Sequence, residues 1–454
     1  MHPTATAVSA NQGNTLFVYF ISIVAATSGL LFGFDIAVIN GAIIFLREQF
    51  RLSEVQTEVA ASALLIGCVL GASVAGWLSD RFGRRRILVF CALLFAASAI
   101  GAALPRDLTE FVVARFLGGI AVGSASLLAP LYIAEVSPAP IRGRLVSLNQ
   151  MTIVTGILLA YFVNWLLSFL GPTGWRWMFA SAAVPSVAFF VALFFVPESP
   201  RWLTESGRED KALDVLARIN GRAQALVELG QIKEAIAEES GTLSELFQPG
   251  FRRALVIAVA LAILQQITGI NTVLFYGSII FKEQVGNQTE SSAIGANVII
   301  GLVNFLATMI AVWAIDKLGR RPLLMISSGI MAVCQVALGL AFLIQPPPAL
   351  LVLGIMLVCA TGFAVGLGPG VWVVLSEIFP TRIRGRAMSI ATISLWVACV
   401  ALTMTFLSLV KAISPTGAFS IYGAMCVVTF LIVWLVTPET KGKTLEEIER
   451  LWRK

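Results

Sequence analysis

Long apolar runs separated by short polar breaks dominate this chain from end to end. Runs of about 18 to 25 mostly apolar residues, the length that crosses a bilayer's hydrocarbon core, fall at 16–38, 57–79, 87–104, 110–134, 145–170 and 177–196. Six more follow at 254–281, 293–315, 323–344, 350–376, 387–410 and 417–436. The pattern predicts an all-α membrane protein of twelve transmembrane helices, six on each side of a polar centre. Residues 1–200 make the first six-helix bundle, 201–252 a linker, 253–437 the second bundle and 438–454 a tail. In the linker, Leu213, Leu216, Leu226, Leu229, Ile232 and Ile236 recur at helical spacing. Short amphipathic helices are expected there, with breaks near Asn220-Gly221 and Ser240-Gly241.

Composition narrows the class. Only 13% of the 454 residues are charged and 57% are apolar, whereas soluble domains carry about 25% charged residues. The net charge of +6 sits in short clusters between the apolar runs, so it reports topology rather than nucleic-acid binding. Loops after the second, fourth, eighth and tenth runs hold Arg81, Arg84, Arg85, Arg86, Arg142, Arg144, Lys317, Arg320, Arg321, Arg382, Arg384 and Arg386. The opposite loops hold Arg47, Arg51, Arg106, Arg176, Lys282 and Lys411. Twelve against six puts the first group in the cytoplasm, with both termini. The first fourteen residues contain no Lys or Arg and the run after them is long enough to span, so no cleaved signal is indicated. Six cysteines are scattered singly and His2 is the only histidine, which argues against a metal site or a disulfide framework. There is no phosphate loop and no nucleophile with a base. Neither an enzyme, a cofactor nor direct ATP drive is supported.

The two halves repeat each other. Asp80-Arg81-Phe82-Gly83-Arg84-Arg85 returns as Asp316-Lys317-Leu318-Gly319-Arg320-Arg321. Glu135 with Ile141-Arg142-Gly143-Arg144 returns as Glu377 with Ile383-Arg384-Gly385-Arg386, and Pro197-Glu198-Ser199 as Pro438-Glu439-Thr440. Duplication of a six-helix unit, with substrate held between the copies, is a common transporter plan. Together with PESPRWL at 197–203, LQQITGIN at 264–271 and PETKG at 438–442, these motifs closely resemble the sugar porter family of the major facilitator superfamily. That resemblance implies alternating access in a bacterial inner membrane, usually by a monomer.

Several residues then gain candidate roles. Carboxylates and guanidiniums at a partly dehydrated boundary can form bidentate pairs. Asp80, Glu135, Glu198, Asp316, Glu377 and Glu439 are expected to meet Arg84, Arg85, Arg142, Arg320, Arg321 and Arg384 there, and the resemblance implies that this network closes the cytoplasmic side when intact. A sugar needs amides that donate and accept, and aromatic faces. Gln150, Gln265, Gln266, Asn271, Asn304, Trp372 and Trp396 supply both at membrane depth, and Gly269 permits local unwinding of the seventh run. The family's sugar-contacting positions carry over to these seven, to Phe32 and to Gly368. Where the xylose symporters have two further glutamines, this chain has Ile157 and Leu395, which leans toward a hexose over a pentose.

Asp35 and Arg115, each near the outer part of its run, are the two ionisable residues expected well within the apolar segments. Intramembrane charge marks function by default, and a pairing that changes with conformation can load and unload a proton. Proton-coupled members of the family resemble this chain in having that aspartate. The expectation is therefore secondary import of a monosaccharide with a proton. The alternatives are a facilitative uniporter and, more remotely, a sugar sensor, which tends to carry a longer tail.

Overall fold

A computed structural model describes residues 14–138, 140–238, 243–285, 289–379 and 381–441. Twelve long apolar stretches of helix run Thr15–Gln49, Glu54–Phe82, Arg84–Ala103, Leu108–Val136, Arg142–Ser168, Gly171–Phe195, Gly250–Glu283, Glu290–Ile315, Arg320–Ala341, Ala349–Glu377, Ile383–Thr403 and Phe406–Leu435. They are called spans 1 to 12 below. No strand occurs among the described residues.

Span starts fall earlier than the apolar runs because the first turns are polar and capped. Ser53 caps span 2 in a capping box with Gln56, Asp107 caps span 4 and Thr289 caps span 8, each side chain taking an N–H that the helix itself leaves free. Span 1 continues beyond 38 to Gln49, so Asp35 lies in mid-helix rather than near its outer part. Asn40, two residues beyond the predicted run, is fully buried and has its polar atoms satisfied by other spans.

Two spans are broken in ways that free backbone groups. Span 7 is helical over Pro249–Ile267 and again over Ile270–Ile279, with Gly269 left-handed at φ +87° between them. Only glycine adopts that geometry without strain. Span 10 contains a π turn at Phe363–Leu367 just before Gly368-Pro369, a local widening of the helix that also frees carbonyls. The boundary between spans 11 and 12 differs from expectation. The chain leaves the helix after Thr403, restarts at Phe406 and kinks at Ser414, φ +71°, before Pro415. Proline rejects a helical residue before it, so Phe406–Ile413 is a lead-in helix and the crossing part begins at Pro415.

Within the first half, spans 1 and 5 touch so closely that a Cβ on Gly33 would sit 1.9 Å from the Ile153 carbonyl oxygen. Between the halves, span 1 meets span 7, span 2 meets span 11 and span 5 meets span 8. The linker forms helices Pro200–Glu205, Glu209–Asn220 and Arg222–Glu238. Gly221 makes the expected break at φ +82°. The break expected at Ser240-Gly241 and the tail beyond Lys441 lie outside the described residues.

Candidate functional site

At the break in span 7 the amides form a connected chain. Gln265 donates through Nε2 to the carbonyl oxygens of Leu367 at 2.7 Å and Gly368 at 3.1 Å, groups that the π turn in span 10 presents. Gln266 donates to the Gln265 amide oxygen at 3.1 Å. Asn271 donates to the Gln266 amide oxygen at 2.5 Å and lies 3.3 Å from the Cys399 Sγ of span 11. Gln265, Gln266, Asn271 and Gly368 are thus brought together, all buried. Across the gap between halves, Phe32 of span 1 and Trp396 of span 11 approach to 5.7 Å between ring centroids. The Trp396 Nε1 is buried with no hydrogen-bond partner among the described residues, and a buried donor left free invites a ligand's acceptor. Gln150, Asn304 and Trp372 are half-buried on spans 5, 8 and 10, and none hydrogen-bonds to this chain of amides among the described residues.

The intramembrane charges pair as expected. Arg115 Nη1 donates to Asp35 Oδ1 at 3.0 Å, and Nη2 donates to the Asp35 backbone oxygen at 2.6 Å. Both residues are buried, Arg115 completely. The guanidinium also lies over the Phe179 ring, 5.2 Å from its centroid. A charge taken out of water is tolerable only with such partners. The bond to the backbone matters for chemistry, because it holds the guanidinium in place whether or not the carboxyl is ionised.

At the arginine-rich end the repeat returns in three dimensions. Arg84 grips Glu135 through Nε and Nη2 at 3.2–3.3 Å, and Arg320 grips Glu377 at 3.1 and 2.9 Å. Asp80 adds an ion pair to Arg84 at 3.1 Å; the side chain of its repeat, Asp316, lies outside the described residues. Glu198 accepts from the Arg85 N–H at 3.0 Å, and Glu439 from the N–H groups of Arg320 and Arg321 at 3.1 and 3.0 Å. These carboxylates sit on the N-termini of spans 3 and 9, where backbone donors and helix dipole favour negative charge. Burial works against the charge of Glu439, but the N–H groups of Lys441, Arg320, Arg321 and Thr440 together outweigh it and hold its carboxyl below the usual range. Arg85 and Arg321 reach on to carbonyl oxygens at the ends of spans 6 and 12, and Arg142 and Arg384 donate to those of Ser137 and Phe379. Each of these contacts stays inside one half.

At the opposite end, contacts cross between halves through residues that the sequence reading passed over. Asn40 of span 1 donates to the carbonyl oxygens of Val273 and Leu274 at 3.1 and 2.8 Å and accepts from the Ser278 N–H and hydroxyl at 3.0 and 2.5 Å. Tyr161 donates to the Leu274 oxygen at 3.2 Å, and Ser168 meets Ser291 at 3.1 Å. Arg47 pairs with Glu283, and Lys282 with Glu48 at 2.6 Å. A second carboxylate, Glu58 near the start of span 2, is also buried, at 2% exposed. Its partner, Ser408, lies 350 residues along the chain, beyond the reach of any local pattern.

Comparison with known proteins agrees with this geometry. The family described as sugar (and other) transporter matches residues 21–452. The arabinose-proton symporter of Bacillus subtilis is 42% identical over 445 residues, 96% of each chain. The D-xylose-proton symporter of Escherichia coli is 40% identical over 97% of each chain. A solved structure of the Escherichia coli xylose transporter, described as partially occluded and inward open, superposes with a TM-score of 0.85 at 37% identity, covering 95% of this chain and 100% of that one. This multi-pass membrane protein therefore belongs to the sugar porter family of the major facilitator superfamily.

Proposed function

We propose that the chain imports a monosaccharide together with a proton by alternating access, with the arginine-rich end and both termini in the cytoplasm of a bacterial inner membrane. The observation that carries this reading is the buried Asp35–Arg115 pair in the same bundle as Phe32, which faces Trp396 of span 11, the span whose Cys399 meets Asn271. Two relatives named as sugar-proton symporters support the coupling. In this reading Arg115, which keeps its charge at any working pH, stays paired with Asp35 while the outer side is shut. When the pair loosens in the outward-open state, Asp35 takes a proton from outside and gives it up inside.

The sugar is held by Gln265, Gln266, Asn271 and the Gly368 region on the second half, and by Phe32 and Gln150 on the first, with Trp372, Trp396 and Asn304 completing the site. Apolar Ile157 and Leu395, both buried, favour a hexose, while the two relatives carry the names of pentoses. A panel of labelled hexoses and pentoses in proteoliposomes, with and without a pH gradient, decides between them and reports coupling at once.

One charge moved across the membrane is worth about 2.3 kcal/mol per 100 mV, enough to concentrate sugar. Asp35→Asn is expected to abolish uphill uptake and sugar-induced alkalinisation while preserving sugar binding and downhill exchange, since the amide mimics the protonated acid. Uphill uptake by that variant, or no proton movement in the wild type, would leave a facilitator in its place.

A further inference from the structure

Glu58 takes no part in the sugar site or the proton pair, yet it is a buried carboxylate between the two halves. Both of its oxygens are used. Oε1 accepts from the Ser408 backbone N–H and Oε2 from the Ser408 hydroxyl, each at 2.7 Å. Ser408 lies in the first turn of the lead-in helix before the Ser414 kink, where backbone N–H groups have no partner within the helix.

That lead-in helix is fastened to the second half by aromatic packing. Phe406 stacks on Tyr276 at 5.2 Å and on Tyr422 at 6.4 Å, and packs edge-on against Phe419 at 6.1 Å. Tyr276 also donates to the Thr403 oxygen at 2.7 Å. Glu58 is the first half's polar grip on the same element. One turn further out, the partly exposed Glu54–Lys411 pair at 3.2 Å repeats the link, but an exposed pair of this kind contributes little. A cavity of ≈ 250 Å³ lined by Arg47, Glu54, Glu283, Phe406 and Lys411 lies on that side.

We infer that Glu58 is a positioning residue of the transport cycle: by taking both donors of Ser408 it holds span 2 against the lead-in helix and weights the equilibrium toward the state closed on the outside. This rests on the alternating-access reading. Opening the outer side must part span 2 from the lead-in helix, exchanging two charge-assisted bonds in a dry interface for water. Such bonds are about twice as strong as neutral ones. Asn40 acts between spans 1 and 7, and Ser168 between spans 5 and 8; Glu58 adds a separate fastening between spans 2 and 12.

The test uses Glu58→Ala in the full chain with Arg106→Cys and Gln345→Cys as label sites. Both positions are exposed at outer loops, one in each half, while all six native cysteines are buried. Pulsed spin-label distances without sugar are expected to shift from the short population toward a longer one. Transport measured from each side is expected to split: apparent affinity for external sugar improves by up to about tenfold and that for internal sugar weakens, because each scales with the population of the state that binds. Ser408→Ala, which removes only the hydroxyl, is expected to give a smaller shift in the same direction and guards against a variant that fails to fold. Unchanged distances in both variants, or affinities that move together on the two sides, overturn the inference. A wild type that moves no sugar from either side defeats the transport reading instead, and the distances still decide what Glu58 does.

Discussion

The two ends of the molecule use polar groups in opposite ways. At the arginine-rich end, which we propose faces the cytoplasm, Arg84 with Glu135 and Arg320 with Glu377 tie spans of the same half together. At the outer end, Asn40 with Ser278 and Glu58 with Ser408 tie one half to the other. Under the alternating-access reading proposed above, bonds of the first kind can persist as the halves rock, whereas those of the second kind must part when that end opens. The chemistry differs as well. The ties inside a half are bidentate guanidinium–carboxylate pairs, whereas those between halves mix the amide and hydroxyl bonds of Asn40, Tyr161 and Ser168 with the carboxylate bonds of Glu58 and the partly exposed ion pairs Arg47–Glu283, Lys282–Glu48 and Lys411–Glu54.

Breaking one of each kind separates the two duties. In Arg84→Ala the partner Glu135 is left buried, since the two side chains are 5% and 6% exposed. Removing one member of such a pair costs about 3–5 kcal/mol, so a large fall in melting temperature in detergent is expected, with little change in the outer-end label distance of the molecules still folded. Arg320→Ala should cost less, because that pair is 13% and 26% exposed. Asn40→Ala reverses the pattern. Unpaired carbonyl and N–H groups penalise only the outer-closed state, by about 1–3 kcal/mol. Its melting temperature should change less than its distance distribution, which moves toward outward opening. Should Arg84→Ala move the distances and Asn40→Ala leave them alone, the assignment of duties is backwards.

The contacts at the arginine-rich end were legible in the sequence and those at the opposite end were not, for a physical reason. Internal duplication prints the same charged motif twice, so Asp80 through Arg85 and Lys317 through Arg321 announce themselves, and their partners Glu135 and Glu377 repeat as well. Contacts across the halves have no such echo. Asn40 lies just beyond a predicted helix end, and nothing local distinguishes an amide satisfied by span 7 from one that stops a helix. The span count, the break at Gly269 and the pairing of Asp35 with Arg115 were all legible, because hydropathy, glycine and intramembrane charge each carry a strong penalty when misplaced. The end of span 11 was not, since Phe406–Ile413 is as apolar as a crossing segment and only the backbone at Ser414 marks it as a lead-in.

Between the two ends lie the amides, and they can be weakened without disturbing either. Gln266→Ala removes the acceptor of Asn271, and Asn271→Ala removes its donor. Each is expected to weaken sugar binding by about 1–3 kcal/mol, read by calorimetry or tryptophan quenching in detergent, with the label distances unchanged. Unchanged affinity in both folded variants would move the sugar elsewhere.

The smallest expected effect concerns Glu439, half-buried behind span 9, whose bonds run to backbone N–H groups of its own half. Its carboxyl is held below the usual range by those donors despite the opposing effect of burial. A depressed value means that ionised Glu439 stabilises the folded state fully above the ordinary carboxylate pKa of about 4.3 and that this contribution is lost as pH falls through the lower folded value. Glu439→Gln cannot ionise, so it should melt a few degrees below wild type at neutral pH. The gap should narrow as the medium is acidified below about pH 4, since the wild type then becomes neutral as well. The outer-end distances should be the same in both proteins at neutral pH, because no bond of Glu439 crosses between the halves among the described residues. A gap that widens on acidification, or a change in the outer distances, would mean that this carboxylate does more than brace its own bundle.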